Sequence, residues 1–153
     1  MKTFSLPAFE ITLESRACAV RGALRQILQG LAPLKLKQEE IDAVELVMAE
    51  VLNNVVEHAY PEDSKPEDIK VRCTHEPDGL FIHVVDHGIA MPDGKIPLGA
   101  LSSNDVALED LPEGGFGWFL IRHLARDVAY ERGTGENRLS LRIAVGATPV
   151  AVS

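Results

Sequence analysis

The amino-acid sequence predicts an α/β fold, a two-layer sandwich in which helices cover one face of a mixed, mostly antiparallel sheet. Two stretches, 16–31 and 38–60, repeat apolar residues every three or four positions, which is the period of an amphipathic helix. Shorter stretches alternate apolar and polar residues, as half-buried strands do, and two of them flank a four-residue turn. At 153 residues the chain is the size of one domain, so we expect a single core.

The chain begins with a predicted strand and a predicted helix. Residues 4–13 alternate loosely between apolar and polar side chains, which indicates the strand. Ser15 belongs to the residue types that cap helices, and the helical period follows from 16 to 31. Gly30 and Pro33 predict the end of this helix.

A longer helix is predicted over 38–60. Its first turn is acidic, which suits the positive end of the helix dipole, and Pro61 forbids continuation. Two strands, 69–74 and 80–85, then flank the turn sequence Glu-Pro-Asp-Gly at 76–79. This pattern predicts an antiparallel hairpin.

The region from Gly88 to Gly115 has no sustained period and is rich in proline and glycine. Long loops in compact domains are often functional lids, so we interpret this region as a lid. The rest of the chain predicts a short helix at 118–125, strands at 127–131 and 138–145 around a turn at 132–135, and a frayed tail from Gly146.

Composition excludes several classes of protein. The chain is 46% hydrophobic and 25% charged, which is typical of globular proteins and not of disordered or fibrous ones. Its 23 acidic and 15 basic residues give a net charge of −8, so we expect no nucleic-acid partner. Because there is no long apolar stretch and no signal-peptide core, we expect a cytoplasmic protein that does not associate with membranes.

The two cysteines and five histidines show no metal-ligand spacing. Cys18 and Cys73 are too few and too far apart for a disulfide framework. We therefore expect two reduced thiols and no protein-bound zinc.

A polar stripe on the long helix is the first candidate for chemistry. Glu50, Asn54 and His58 are spaced four apart and so lie on one face. Such a stripe is usually a solvated face, but this helix is otherwise strongly apolar, which would put the stripe near the rim of a core. A carboxylate and a carboxamide there suit a site for a cation and a water molecule. His58 has two open roles, a phosphate contact or a favourable charge at the helix end.

The second candidate is Asp86, which leaves a predicted strand two residues before Gly88. An aspartate at a strand end can accept a hydrogen bond from a base amine, and a glycine lets the backbone come close to a flat ring. The alternative is a plain Asp-Gly turn.

The third candidate is the glycine-rich segment Glu113–Ile121, which leads into the short helix. Its glycines would expose backbone N–H groups at a helix start, as a phosphate cradle requires. The segment is neither a P-loop nor a dinucleotide fingerprint, and a flexible hinge is the alternative.

The order of these features is more specific than any one of them. In this order the chain resembles the GHKL ATPase/kinase superfamily, and within it the short anti-sigma factor serine/threonine kinases. The family's helix motif reads Glu-x-x-x-Asn and ends in His-Ala/Gly-Tyr, and residues 50–60 match it. The resemblance covers residues 9–143 and implies a Bergerat-type ATP-binding fold, with 1–153 forming one kinase domain.

The resemblance implies roles for four of these side chains and backbones. Asn54 would bind Mg²⁺ through its side-chain oxygen, and Glu50 would be the general base that orients or deprotonates the attacking hydroxyl. Asp86 would recognise the adenine amine, with Gly88 giving room. Asn53 is a second candidate ligand, but it points about 100° round the helix from Glu50, so we favour Asn54.

The resemblance also implies where the rest of the ATP would lie. Gly115 and Gly117 would present amides to the phosphates, and 89–114 would be the lid. Asn137 is the candidate for the adenine side on the late strand. The sequence departs from the family pattern Asp-x-Gly-x-Gly at Ala90, whose methyl group is tolerated if φ is negative and harmful if φ must be positive.

Two functions of different classes follow. The first is a protein kinase that phosphorylates a small anti-sigma factor antagonist and holds a sigma factor inactive, with ATP and Mg²⁺ as cofactors and a homodimer as the expected assembly. The second is a binding module of the same fold that sequesters a partner without phosphate transfer, motivated by Ala90 and by the acidic lid. Hydrolysis without a protein acceptor is a lesser third option.

Three arginines on the first helix, Arg16, Arg21 and Arg25, form a basic face in an acidic protein. We interpret this face as part of the partner surface or as a γ-phosphate contact, with a solvated helix face as the alternative.

Overall fold

The computed structural model describes residues 6–60, 64–91, 121 and 123–146. The elements whose bounds lie within these residues are five strands, two α-helices and one short 3₁₀ helix. The elements are β1 (Phe9–Glu14), α1 (Ala17–Leu31), the 3₁₀ helix (Ala32–Leu34), α2 (Gln38–Ala59), β2 (Asp68–Glu76), β3 (Gly79–Asp86), β4 (Arg126–Gly133) and β5 (Glu136–Ile143).

The described strands form one sheet in the order β1-β2-β3-β5-β4, and all four pairings are antiparallel. The hairpin predicted from the turn at 76–79 is present, with Glu76 opposite Gly79. The predicted fold class is confirmed: both α-helices lie on one side of the sheet, which is antiparallel throughout its described pairings.

The core lies between the helices and the inner face of the sheet. Alternate residues of β1, β2, β3 and β5 are buried, as the period of a strand requires, whereas β4 at the edge of the sheet has none that is fully buried. Helix α2 buries an apolar stripe at helical spacing against them. The fully buried large side chains include Ile27, Met48, Leu52, Ile69, Leu80, Ile82, Leu141 and Ile143. This packing fixes α2 over the strands that carry the candidate site.

The start of α1 differs from the prediction. The first strand begins at Phe9 rather than at 4, and Ser15 does not cap the helix. Instead the Ser15 hydroxyl accepts a hydrogen bond from the backbone N–H of Glu67 at 2.9 Å, and the Ser15 N–H donates to the Glu67 carbonyl, also at 2.9 Å. Ser15 therefore joins the end of β1 to the segment before β2, and the N-cap position of α1 is taken by the next residue, Arg16.

The C-terminal end of the described chain is anchored at Gly146. Its N–H donates to the Glu40 carboxylate at 2.7 Å, and its carbonyl lies 3.1 Å from Nε2 of His75. Residues 147–153, most of the predicted tail, lie outside the described residues. Glu40 also accepts from the Lys37 N–H at 3.0 Å, so one carboxylate joins the start of α2 to the end of the sheet.

Both cysteines are free, Cys18 being exposed and Cys73 buried on the inner face of β2. Burial raises the pKa of the Cys73 thiol to about 12, so this group stays protonated. Within the described residues no helix is both long and apolar enough to span a bilayer.

Candidate functional site

The site is built on a row of three residues that lie directly opposite one another on neighbouring strands. Asp86 at the end of β3 pairs with Asn137 on β5, and Asn137 pairs with Arg132 on β4. Directly opposite residues on an antiparallel sheet point to the same face and lie within side-chain reach. The register of the sheet therefore brings the three side chains together at one edge of the core.

Asp86 and Asn137 are polar groups in a buried place, each being 3% exposed. Asn137 Nδ2 donates to Asp86 Oδ1 at 2.8 Å, and the Gly88 N–H donates to the same oxygen at 2.9 Å. Burial raises the pKa of the Asp86 carboxyl, while these two hydrogen bonds and the charges of His87 and Arg132 act to lower it. None of the hydrogen bonds among the described residues reaches Asp86 Oδ2, so that oxygen is available to a ligand.

The segment 86–91, which we call the adenine loop after the role that the resemblance implies for it, is held against the C-terminal end of α2. The Ile89 N–H donates to the Ala59 carbonyl at 2.9 Å, and the His87 N–H donates to the Tyr60 hydroxyl at 3.0 Å. A Cβ atom at Gly88 would lie 2.3 Å from the Ala59 carbonyl oxygen. Glycine is therefore required at position 88, because any side chain would push the loop off the helix.

The polar stripe of α2 meets the adenine loop in one cavity. Asn54 and His58 line this cavity together with Asp86, Ile89 and Asn137. Val55, Ala59, Met91, Tyr130 and Leu139 complete its described wall. The described part of this cavity is small, about 10 Å³, and combines apolar walls with a few convergent polar groups.

Asn54 and Glu50 differ in their relation to this cavity. Asn54 Nδ2 is a buried side-chain atom without a hydrogen-bond partner in the described structure. Since a buried amide normally finds a partner, this orphaned group fits a ligand atom in the cavity. A half-turn of the amide exchanges nitrogen and oxygen at that position, so Asn54 can offer an oxygen to Mg²⁺. Glu50 is partly buried one helical turn away and is not part of the described wall.

Two residues of β4 that the sequence analysis did not single out hold the other side of the adenine loop. Arg132 Nη1 donates to the Gly88 carbonyl at 2.8 Å and to Asn137 Oδ1 at 2.9 Å. The Tyr130 hydroxyl donates to Asn137 Oδ1 and accepts from the Met91 N–H, the latter at 3.0 Å. Their i, i+2 spacing puts both on the same face of β4, which is the signal that could have found them.

The decisive comparison is with family models. Residues 13–143 match the model described as histidine kinase-like ATPase domain. The chain belongs to this family. The resemblance to the GHKL superfamily that the motif order predicts is thereby confirmed.

This ATPase-domain chain is also similar to curated kinases. It is 29% identical over 117 residues to serine-protein kinase RsbW of Bacillus licheniformis, a match that covers 74% of this chain and 72% of that one. It is 33% identical over 93 residues to serine/threonine-protein kinase BtrW of Bordetella bronchiseptica, covering 60% of this chain and 62% of that one.

A solved structure supports the fold assignment. The crystal structure of the RsbU and RsbW domains of a Mycobacterium tuberculosis protein aligns with a TM-score of 0.62 at 18% identity. The alignment covers 95% of this chain and 35% of that longer chain.

For a histidine kinase-like ATPase domain, the departure at Ala90 matters less than the sequence suggests. Within the described residues, the non-glycine residues with positive φ are Lys35 and Asp127. Ala90 therefore has a negative φ, which an alanine adopts without strain. The conformation of the adenine loop does not require a second glycine.

Several predicted parts of the site fall on residues that the structure leaves undescribed. These are Gly115, Gly117 and the lid from 92 onward, and their roles stay predictions. Of the predicted short helix, residues 121, 123 and 124 are helical, while Ala125 is not.

Proposed function

We propose that this protein is a serine/threonine protein kinase and anti-sigma factor, which transfers the γ-phosphate of ATP to a small anti-sigma factor antagonist and sequesters a sigma factor in the cytoplasm. The observation that carries the proposal is the cavity shared by Asn54 and Asp86. Among the residues that the structure describes, the Asn54 amide nitrogen has no partner and one oxygen of the buried Asp86 carboxylate accepts no hydrogen bond, which suits a purine nucleotide with its Mg²⁺. The named kinases to which the chain is similar support the same reading.

Each side chain has a stated task in this proposal. Asp86 accepts a hydrogen bond from the adenine amine through Oδ2. Asn54 contributes an oxygen to Mg²⁺, the ion's other ligands being phosphate oxygens and water, as is usual for this ion. When bound, Mg²⁺ supplies neutralisation of the charge on the phosphates. Glu50, one turn from Asn54, orients the attacking hydroxyl and takes its proton.

The backbone completes the proposed site. Gly88 lets the adenine loop approach α2, and Gly115 and Gly117 present N–H groups to the phosphates under the lid 89–114. Asn137 has both atoms of its amide engaged by protein groups, namely Asp86, Ile89, Tyr130 and Arg132. We therefore assign Asn137 to positioning Asp86 rather than to direct contact with adenine.

The first helix is the proposed partner surface. Arg16 is paired with Glu14 at 3.1 Å, and both side chains are well exposed. Arg21 and Arg25 are exposed and have no ion pair with any described residue. They line a groove between α1 and α2 together with Leu24, Leu28 and Glu45. We propose that this groove receives an acidic segment of a partner, and that the protein acts as a homodimer.

The test of the kinase function is phosphate transfer from γ-labelled Mg·ATP to purified anti-sigma factor antagonists of the same organism. We expect wild-type protein to label one antagonist on serine or threonine. Glu50→Gln should bind ATP as wild type does and lose transfer by about 100-fold or more, the usual contribution of a general base. Equal transfer rates would remove Glu50 as the base, and binding without any transfer would favour the sequestering module.

Arg21→Glu tests the partner surface separately. We expect weaker binding of the antagonist or of the sigma factor, with ATP binding unchanged because Arg21 lies outside the cavity wall. Unchanged binding of both partners would contradict the assignment of this groove.

A further inference from the structure

The adenine loop is held on two sides by different elements. Helix α2 holds the backbone N–H groups of His87 and Ile89 through Tyr60 and Ala59. The hairpin of β4 and β5 holds the opposite edge mainly through side chains, and the carbonyl of Gly135 in its turn lies 3.3 Å from Nδ1 of His87. Because the loop is held on both sides, Asp86 has little conformational freedom before a ligand binds. A site that is already ordered loses less conformational entropy on binding, which increases affinity.

The side-chain clamp consists of Tyr130, Arg132 and Asn137. Asn137 Nδ2 donates to the Ile89 carbonyl at 2.9 Å as well as to Asp86. Arg132 binds the Gly88 carbonyl, and Tyr130 receives the Met91 N–H. Three backbone groups of the loop and its aspartate side chain are thus bound by three side chains from one hairpin.

Arg132 is the member of this clamp with the most specific placement. The residue is exposed, so no packing requirement explains an arginine here. Its Nη1 group nevertheless makes two short hydrogen bonds, one to the loop itself and one to the amide that orients Asp86. It also brings a positive charge towards a carboxylate whose ionised form is disfavoured by burial.

We propose that Arg132, assisted by Tyr130, is a positioning residue that sets the selectivity of the site for adenine over 6-oxo purines. It acts through the Gly88 carbonyl and Asn137, which fix Asp86 Oδ2 where the 6-amine of adenine would donate. The clamp also rigidifies the loop around Ala90, because it binds the Ile89 carbonyl on one side and the Met91 N–H on the other. The inference rests on the proposed ATP site and adds to it the group that controls base discrimination.

The test compares ATP with inosine triphosphate, which carries an oxygen in place of the 6-amine. The ratio of their dissociation constants, measured by calorimetry with Mg²⁺, isolates the contribution of Asp86 because the sugar and phosphates are the same. A variant that merely loosens the fold weakens both nucleotides and leaves the ratio unchanged. A variant that misplaces Asp86 lowers the ratio.

We expect wild-type protein to prefer ATP by about 10-fold or more, as one hydrogen bond to a charged group provides. Arg132→Met keeps an unbranched apolar stem without the donors of the guanidinium and should lower this preference by about 10-fold. Arg132→Lys keeps a charged group with several donors and should retain most of it. Tyr130→Phe should lower the preference in the same direction, because Met91 loses its acceptor.

Arg138→Met is the matched control. Arg138 lies on the same hairpin and also makes a charged hydrogen bond, but to Glu136 and not to the loop. Its substitution should leave the preference as in wild type. An unchanged ratio in Arg132→Met, with wild-type protein binding ATP selectively, would overturn the inference alone. Failure of wild-type protein to bind either nucleotide would instead overturn the proposed function and the inference with it.

Discussion

Gly88→Ala is the substitution for which the structure gives the most definite magnitude. The new Cβ would lie 2.3 Å from the Ala59 carbonyl oxygen and 2.7 Å from the Ala59 Cβ. The nearest obstacle is helix backbone, which cannot swing aside, so the loop must retract by about 1 Å. That movement breaks the hydrogen bonds from Ile89 to Ala59 and from His87 to Tyr60.

The cost follows from these two effects. Overpacking of this kind costs about 1–3 kcal/mol, and each lost hydrogen bond costs about 1 kcal/mol. We therefore expect the free energy of unfolding to fall by about 3–5 kcal/mol. For a chain of this length that is a fall in Tm of about 6–20 °C, together with loss of nucleotide binding.

Gly22→Ala is the matched comparison, because nothing lies within 4 Å of a Cβ at that exposed position inside α1. The same chemical change should there raise the free energy of unfolding by about 0.5–1 kcal/mol. Calorimetric melts and urea titrations of both variants measure the fall in the free energy of unfolding expected for Gly88→Ala and the rise expected for Gly22→Ala. A Gly88→Ala protein that melts within about 1 °C of wild type and still binds ATP would refute the close approach of the adenine loop to α2.

Three further predictions follow from the charged groups. Asp86→Asn should abolish ATP binding yet leave the free energy of unfolding, measured by urea titration at pH 7, unchanged or higher. A carboxyl whose pKa is raised by folding stabilises the folded protein below its unfolded pKa and loses that contribution as the pH rises through its folded pKa. A large fall in the free energy of unfolding would contradict this prediction. ATP affinity measured by calorimetry should weaken as the pH falls through the raised pKa of Asp86, whereas the affinity for inosine triphosphate should not weaken. The titratable and charged groups around Asp86 are His87, Arg132 and Tyr60, and His58 lines the same cavity. Glu40→Gln should lower the free energy of unfolding by about 0.5–1 kcal/mol at pH 7, because the Gly146 and Lys37 N–H groups lower the pKa of Glu40 while solvent screens part of the interaction. This contribution is lost as the pH falls through the folded pKa. Glu39→Gln in the same helical turn is the control, and equal effects of the two substitutions on the free energy of unfolding would contradict the prediction.

Periodicity predicted most of the fold because the core imposes it. Helix α2 was predicted over 38–60 and is found over Gln38–Ala59, and its buried residues are the apolar ones of the pattern. The same helical spacing correctly placed Asn54 and His58 on one wall of a cavity. The bounds of a helix and the residues that share its face depend only on local sequence and on burial, so both can be predicted from the sequence.

Strand register was the part that could not be predicted. The expected turn at 132–135 would have placed Arg132 in a loop, whereas the turn is formed by Thr134 and Gly135, with Gly133 opposite Glu136. Gly135 has a φ of +66°, which permits the tighter two-residue turn. That small shift pairs Arg132 with Asn137 and creates the clamp. The prediction that Ser15 caps the first helix was wrong for a similar reason, since the residue it binds, Glu67, is remote in sequence.

The central claim is that Asn54 and Asp86 form one Mg·ATP site, and thermal stability with and without Mg·ATP tests it most directly. A ligand that binds the folded state at 100 times its Kd adds about 2.7 kcal/mol to the free energy of unfolding. That corresponds to a rise in Tm of about 5–10 °C here. We predict that this rise requires Mg²⁺ and that Asn54→Ala abolishes it while melting normally without nucleotide. A well-folded wild-type protein whose Tm does not change with Mg·ATP would contradict the account.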